Sequence, residues 1–528
     1  MIFWLGALAC APGEPADTIV SGGTIALDAA TSTTAFAVRG GVVVAVGDDA
    51  EALAGPDTVR VDAAGGFVMA GFEDTHTHLL PGSFAMDRLL LLGTASMGGI
   101  AAALSGYMGE VPDDEPWIVG YGWLSETAGE PDRALIDAIV SDRPVLLVSN
   151  SGHEAIVNVK ALELAGIDRT TPDPVDGRIG RFEDGTPNGY LVEGAVKLLS
   201  DLVLDAYDDE RLAAGLPRRF EEFGRSGITG IHEILAAPGF AVGRPWIYSD
   251  LEARGELPMR VTWYYPVFGP DDVDAAVAEA AADPDGDLVR FGGVKLWIDG
   301  SMGSSEAWVE EPYLSGGTGS PYFTPESLLA TVRRADEAGV QLKVHANGDA
   351  AIDAILDALE TVAAEGGLSK RPVIEHCVLP DADDLARLAA LQIPVSVQPT
   401  HWIGARFGET AKELGPDRWS HAYDYAAFRE AGIPMGTGTD WPVWPAQQPL
   451  LVSWNAQSRD GGMTLDEALL GYTEVAGDVL GRGDELGKLD VGYLADFLVM
   501  SADPRKVDVA TVPDVAIREV WVGGARRF

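Results

Sequence analysis

At 528 residues, 47% of them hydrophobic, the chain is long enough for one large core plus a smaller domain and too apolar for a disordered protein. Its 81 acidic against 37 basic residues leave a net charge of −44, which repels phosphate backbones and anionic lipid, so nucleic-acid binding and membrane-surface adsorption are disfavoured. Two cysteines exclude a disulfide framework and a cysteine-rich zinc site, and no stretch is long and apolar enough to span a bilayer.

The chain opens with MIFWLGALAC, apolar up to Cys10, then turns to the small-residue and proline stretch APGEPAD. Residues 1–16 thus read as the tail of a bacterial lipoprotein signal, with Cys10 the lipid-anchored residue and the cell envelope or periplasm the location. The run is short and lacks a basic segment before it, so a cytoplasmic N-terminal tail is the competing reading. Residues 17–68 read as short strands: TIVSGGTIAL, TAFAVRGGVVVAVG and TVRVDAAGGFVMAG set β-branched residues between glycine pairs. Residues 488–528, with GKLDVGYLADFLVMS and VAIREVWVGGARRF, have the same character, which predicts one small β-domain assembled from both chain ends.

Between them, residues 69–487 alternate apolar strands with Ala/Leu/Glu-rich helical runs such as DVDAAVAEAAAD and PESLLATVRRADEAG. The strand candidates are Phe67–Glu73, Gly227–Ile231, Met259–Tyr265, Gly292–Ile298, Gln341–His345, Pro372–His376, Ile393–Gln398 and Ile433–Thr439. Eight strands with helical crossovers is the count of a TIM-type (β/α)8 barrel, in the α/β class. Residues 79–218 read as an insertion after the first barrel strand, because counting their strand-like run Pro144–Asn150 would make nine.

The chemistry is written at the strand ends. His76-Thr77-His78 closes the first candidate. Residues two apart on a strand point to one side, about 6.5–7 Å apart, so both imidazoles can reach one ion at about 2.0–2.1 Å. His345 ends LKVHANGD, His376 ends PVIEHC and Asp440 ends PMGTGTD, and in a barrel all those ends meet on one face. Four of only eight histidines, with an aspartate, at strand ends are hard to attribute to packing. Lys295 lies in the apolar strand GGVKLWIDG, where an uncompensated ammonium is costly. Either it pairs with an acid such as Asp299, or CO2 converts it to a carbamate whose two oxygens can each take a metal.

Read together, these blocks resemble the amidohydrolase superfamily, and within it the YtcJ-like branch (amidohydrolase family 3) that includes N-substituted formamide deformylases. The matching segments are ADTIVSGGTI, Phe72-Glu73-Asp74-Thr75-His76-Thr77-His78, GYGW, SGHEAIVNVKALELAGI, DGTPNGYLVE, VKLWIDGSMGSSEA, HANGDAAIDAIL, IEHC, VSVQPTHW, GTGTDWPV and GKLDVGYLADFLVM. The resemblance implies that the terminal β-domain is a β-sandwich. It also implies that His76, His78 and Asp440 hold the more buried metal, that His345 and His376 hold a second, and that an N6-carboxylated Lys295 bridges them, with one ion also compatible.

Zinc is the default for such a histidine-rich set. The implied reaction is hydrolysis of a carbon–nitrogen bond in a non-peptide amide, such as an N-substituted formamide or N-acyl amine. Metal-activated hydroxide attacks, and Asp440 serves as general base and then acid. Lactone, ester or cyclic-imide hydrolysis and deamination would use the same site, and a catalytically silent scaffold is the alternative of another class. The expected partner is a small amide-type molecule, with a homodimer left open.

His153, Glu193 and His401 are weaker candidates for substrate contact, each with a structural role as the competitor. His232 ends a strand and His421 is expected on a loop. Trp123, Trp297, Trp402, Trp441 and Trp444 hint at an aromatic-lined pocket. GSMGSS lacks the Lys-Ser/Thr ending of a phosphate loop and is rejected as one.

Overall fold

Eight strands, all parallel, form the central sheet: β1 (Phe72–Thr77), β2 (Ile228–Ile234), β3 (Arg260–Pro266), β4 (Val289–Trp297), β5 (Gln341–Ala346), β6 (Val373–His376), β7 (Val395–Val397) and β8 (Met435–Thr437). They pair in chain order from β1 to β8. A parallel bridge between Thr77 and Trp441 then brings the first strand back to the last. The computed structural model describes residues 14–124, 131–150, 152–174, 177–237, 240–241, 243–405, 409–443, 448–457 and 461–528, with backbone alone at 200–201, 237, 240–241, 403–405 and 409. Cys10, and with it the lipid-anchor expectation, lies outside the described residues, as do Trp444 and Ser151.

The expected α/β barrel is thus the observed fold. Its strands read as apolar runs because both faces are covered: β1, β2 and β5 are buried at every position. The helix Pro325–Ala338 shows how the outer layer is coded. Thr324 caps it by accepting from the Ser327 amide, Pro325 opens its first turn, and Gly339 ends it at φ 67°. Leu328, Thr331, Val332 and Ala335 fall on one face and are buried against the barrel, about 1.5–3 kcal/mol for each large apolar side chain.

One boundary differs from the sequence reading. The candidate Phe67–Glu73 is two elements: Phe67–Ala70 belongs to the terminal sheet, and the barrel strand begins at Phe72. Gly71 makes the break, since a Cβ there would lie 2.1 Å from the Thr229 hydroxyl. Apolar periodicity runs straight through such a junction and cannot reveal it.

The terminal sheet has eight hydrogen-bonded strands drawn from Thr18–Ala70 and Phe497–Arg526. Phe67–Ala70 and Phe497–Met500 run antiparallel at its middle and tie the chain ends together. Its core includes Phe36, Phe497 and Trp521, the latter two stacked at 5.2 Å. Between β1 and β2, a separate six-stranded sheet runs Gly177–Arg181, Pro187–Glu193, Glu154–Val157, Val145–Ser149, Ile118–Trp123, Leu89–Leu90. The run around Val145–Ser149 sits there and not in the barrel. Cys377 is buried as a free thiol, and no helix among the described residues is long and apolar enough to cross a membrane.

Candidate metal centre

Two elements from opposite ends of the barrel sequence build the rim. β1 delivers His76, and His78 stands at the start of the helix Leu79–Met86 without a capping hydrogen bond from its side chain. Glu233 on β2 accepts from the Leu79 and Leu80 amides at 2.7 and 2.9 Å, satisfying first-turn donors that no helix can satisfy itself. On the other side, the Asp440 amide donates to the His76 carbonyl at 2.8 Å and the His78 amide to the Trp441 carbonyl at 2.9 Å. Asp74, two residues before His76, accepts from the Thr439 hydroxyl at 2.6 Å and its amide at 2.9 Å. So close an approach requires Gly438, where a Cβ would stand 2.8 Å from the His76 nitrogen. Asp440 itself is held at φ 54° and His376 at φ 68°, backbone conformations that persist only where the surroundings impose them.

Asp440 is the hub. Its Oδ1 lies 3.3 Å from His76 Nε2 and 3.1 Å from His78 Nε2, and its Oδ2 lies 3.2 Å from His401 Nε2. Yet Asp440 Oδ1 and His401 Nε2 have no hydrogen-bond partner among the described residues, because the atoms are close without being aligned. Ligands bonded at about 2.0–2.1 Å to a tetrahedral ion stand about 3.3 Å apart. Among the described residues, two groups bring their ligand atoms within 4.8 Å of one another: His76, His78 and Asp440, and His376, His401 and Asp440.

The far ring nitrogens are fixed. His76 Nδ1 is 2.7 Å from Glu375 Oε2, and His376 Nδ1 is 2.7 Å from Gln398 Oε1, which leaves each Nε2 facing inward. Burial pushes the His78 and His376 pKa down, so both are neutral, as ligands must be. Burial pulls His76 the same way, but Glu375 and Asp440 more than offset it. Burial pushes Asp440 up, and the imidazoles of His76, His401 and His78 outweigh it, holding the carboxyl well below its usual range.

Lys295 is fully buried on β4, and its Nζ has no hydrogen-bond partner among the described residues, though the Trp297 ring lies 5.4 Å away. Burial lowers its pKa to about 8. Asp299, the partner weighed from sequence, instead accepts from the Asn347, Gly348 and Trp308 amides. His345 packs 4.6 Å from the His376 ring but belongs to neither three-residue group; its Nε2 is 2.8 Å from Asn347 Nδ2 and 3.3 Å from the Gly300 carbonyl.

The inserted sheet reaches this rim. His153 Nδ1 pairs with Glu193 Oε2 at 2.8 Å, and the His153 ring stands 6.3 Å from that of His345. Burial lowers the His153 pKa, and Glu193 reverses this to a net rise. Trp123, Trp297 and Trp441 are buried, while Trp402 is half-buried. His232 is buried on β2, and His421 ends the helix Glu409–His421 at the surface, not on a loop.

Residues 60–528 match the family described as amidohydrolase. The chain belongs to the amidohydrolase family. It is similar to the Bacillus subtilis (strain 168) protein named as the amidohydrolase YtcJ, at 29% identity over 94% of this chain and 96% of that one. It is also similar to the N-substituted formamide deformylase of Arthrobacter pascens, at 26% identity over 94% of each chain. The fold matches the crystal structure of an uncharacterized metal-dependent hydrolase from Pyrococcus horikoshii OT3, with a TM-score of 0.74 and 24% identity over 93% of this chain and 99% of that one.

In this amidohydrolase the sequence reading passed over Asp74, Glu233, Lys343, Glu375 and Gln398, which set the inward-facing groups rather than joining them. A signal for two of them was available. Asp74 precedes His76 by two and Lys343 precedes His345 by two, so each shares its strand face with a histidine singled out for chemistry. Glu375, directly beside His376, offers no such spacing.

Proposed function

We propose that this metal-dependent hydrolase of the amidohydrolase superfamily cleaves a carbon–nitrogen bond in a small non-peptide amide, such as an N-substituted formamide or N-acyl amine. The observation that carries the reading is the Asp440 carboxylate, surrounded by imidazoles at ligand-to-ligand spacing without hydrogen-bond alignment. His76, His78 and Asp440 would hold a divalent ion, with zinc suited to the nitrogen and oxygen donors. Such an ion supplies Lewis acidity there, lowering the pKa of water and polarising a carbonyl oxygen.

The protein's own groups do the rest. Asp440 accepts a proton from the attacking water and returns it to the nitrogen as the C–N bond breaks, giving an acid and an amine. Glu375 and Gln398 keep His76 and His376 in one tautomer throughout. Lys295, unpaired and with its pKa lowered to about 8, keeps an uncharged amine fraction that can take up CO2. His153 and Glu193 sit where the inserted sheet meets the rim and would contact the substrate. The amide preference follows the similarity to the formamide deformylase.

The test is elemental analysis of the purified protein, with turnover of formamides, N-acyl amines, aryl amides and lactones measured before and after chelation. Bound divalent metal and amide turnover that falls at least about a hundred-fold on chelation and returns with zinc support the reading. Full activity in metal-free protein sinks it, and turnover of lactones alone moves the reaction to C–O bonds.

A further inference from the structure

Where the inserted sheet meets the segment after β4, carboxylates outnumber the cations that answer them. Glu193 closes the strand Pro187–Glu193 at φ 52°, and its side chain is only 7% exposed. His153 Nδ1 engages its Oε2, while its Oε1 is buried with no hydrogen-bond partner among the described residues. Glu154 takes the Tyr190 hydroxyl on one oxygen and leaves Oε2 buried in the same way. Glu306, half-buried, is the third acid. Burial pushes its carboxyl up to about 7, Glu193 and Glu154 add to the rise, and His153 and the exposed Arg178 oppose it.

Two of these acids converge on one bare stretch of backbone. At Gly300, just past β4, a Cβ would lie 2.8 Å from Glu193 Oε1, 3.0 Å from the Tyr322 hydroxyl oxygen and 2.7 Å from Glu306 Cβ. The Tyr322 oxygen is also buried without a hydrogen-bond partner among the described residues. The result is a cradle with a glycine floor, lined by acceptors. It stands close to the candidate metal centre: the His153 ring is 6.3 Å from that of His345, which is 4.6 Å from that of His376.

We infer that this cradle binds a protonated nitrogen of the substrate, an ammonium separate from the amide being cut, with Glu193 Oε1 as its main acceptor and Glu306 beside it. This rests on the reading of the chain as an amide hydrolase and names the kind of amide. A buried carboxylate is costly until a cation pairs with it, and a primary ammonium brings three donors to the acceptors gathered here. The three acids are in neither group of metal-type ligands among the described residues, so the cradle suits an organic cation rather than a bare metal ion. The chain's net charge of −44 acts in the same direction, drawing cationic molecules and repelling anionic ones.

The experiment uses matched amides over a series of spacer lengths: N-acetyl-diaminoalkanes, N-acetyl-alkylamines with methyl in place of the ammonium, and N-acetyl-amino acids with a terminal carboxylate. In wild type, kcat/KM for the best ammonium substrate should exceed that of its methyl isostere at least about a hundred-fold, with the carboxylate lowest. In Glu193→Gln and Glu306→Gln that ratio should fall at least about tenfold. The ratio is insensitive to how much of a variant folds, because both substrates meet the same active molecules. Equal kcat/KM for ammonium and methyl substrates in wild type overturns the inference, and so does a ratio that neither substitution moves. If no amide in the panel is turned over, it is the amide-hydrolase reading that fails. Calorimetry with n-butylammonium and 1-butanol then decides the cradle: binding of the ammonium alone, lost in Glu193→Gln, upholds it, and equal or no binding of the two overturns it.

Discussion

The two ends of the barrel treat buried charge in opposite ways. At the amino end of β3, Arg260 forks onto Asp496 with both carboxylate oxygens engaged, while its remaining nitrogen reaches the Asp287 carbonyl and Asp496 also takes the Gly523 amide. Every charge there has its partner, and the pair ties the barrel to the terminal sheet. At the carboxyl end, Asp440 and His401 approach without bonding, and Lys295 has no hydrogen-bond partner among the described residues. Nor is the difference one of depth. Lys295 and Lys343 are register partners on β4 and β5, both fully buried. Lys343 sits 2.8 Å from Glu375 and 2.5 Å from the Thr75 carbonyl, whereas Lys295 has neither. Burying charge is costly unless it is paired, so charge left unpaired on one face marks where something other than protein completes the set.

The comparison breaks first, and hardest, at Asp440. Asp440→Asn keeps the shape but loses the proton acceptor and the negative charge. Turnover should fall toward the upper part of the 10²–10⁴-fold range for general acid–base groups, about 5 kcal/mol of barrier. Steady-state kinetics on the best substrate checks it, and near-wild-type turnover removes the aspartate from the reaction. The opposite end should answer with stability instead of rate. Asp496→Asn strands the Arg260 guanidinium and should cost about 3–5 kcal/mol in denaturant unfolding, with metal content and turnover per folded molecule unchanged. A loss of activity in the folded variant would mean that the two ends are coupled.

The lysine pair sharpens the same contrast. Lys343→Met leaves the buried Glu375 with only His76 and should destabilise by about 3 kcal/mol. Lys295→Met deletes an ammonium that no carboxylate pairs with and should shift the stability of metal-free protein by less than about 1 kcal/mol, in either direction, while lowering turnover. Equal destabilisation of the two variants would show that Lys295 has a partner after all.

Much of this was legible in sequence because barrel strands announce themselves as apolar runs, and a histidine or aspartate ending such a run is conspicuous. His76, His78, His376 and Asp440 were found that way, and the structure gathers them. His345 ends its strand just as clearly, yet its Nε2 turns to Asn347 and Gly300. Strand position fixes where a Cα lies, but neighbours decide which way a ring faces. His401 was harder to weigh because it stands beyond β7 on a short helix, where strand periodicity no longer applies. The join between the two sheets at Gly71 was hidden for the same kind of reason, since it depends on how near Thr229 comes across space.

Glu73 is the apparent exception at the amino end, and its effect is read from a pH profile. Its carboxyl packs on the bare backbone of Gly230, where a Cβ would lie 2.1 Å from Oε2, and its Oε1 has no hydrogen-bond partner among the described residues. Burial pushes its pKa up to about 8, Asp496 adds to the rise, and Arg260 opposes it. The group is therefore mostly neutral at pH 7, so no unpaired charge is buried there. In the window between the ordinary glutamate value of 4.5 and about 8, the folded protein holds a proton that the unfolded chain releases. The stabilisation from Glu73 is then fully present below that window and is lost as pH rises through about 8. Glu73→Gln imitates the protonated form at every pH. Its unfolding free energy should fall less steeply than wild type between pH 5 and 8, by up to about 3–4 kcal/mol across the interval, at about 1.4 kcal/mol per pH unit. Parallel pH profiles for the two proteins would mean that Glu73 is ionised in the barrel, and the amino end would then carry an unpaired charge of its own.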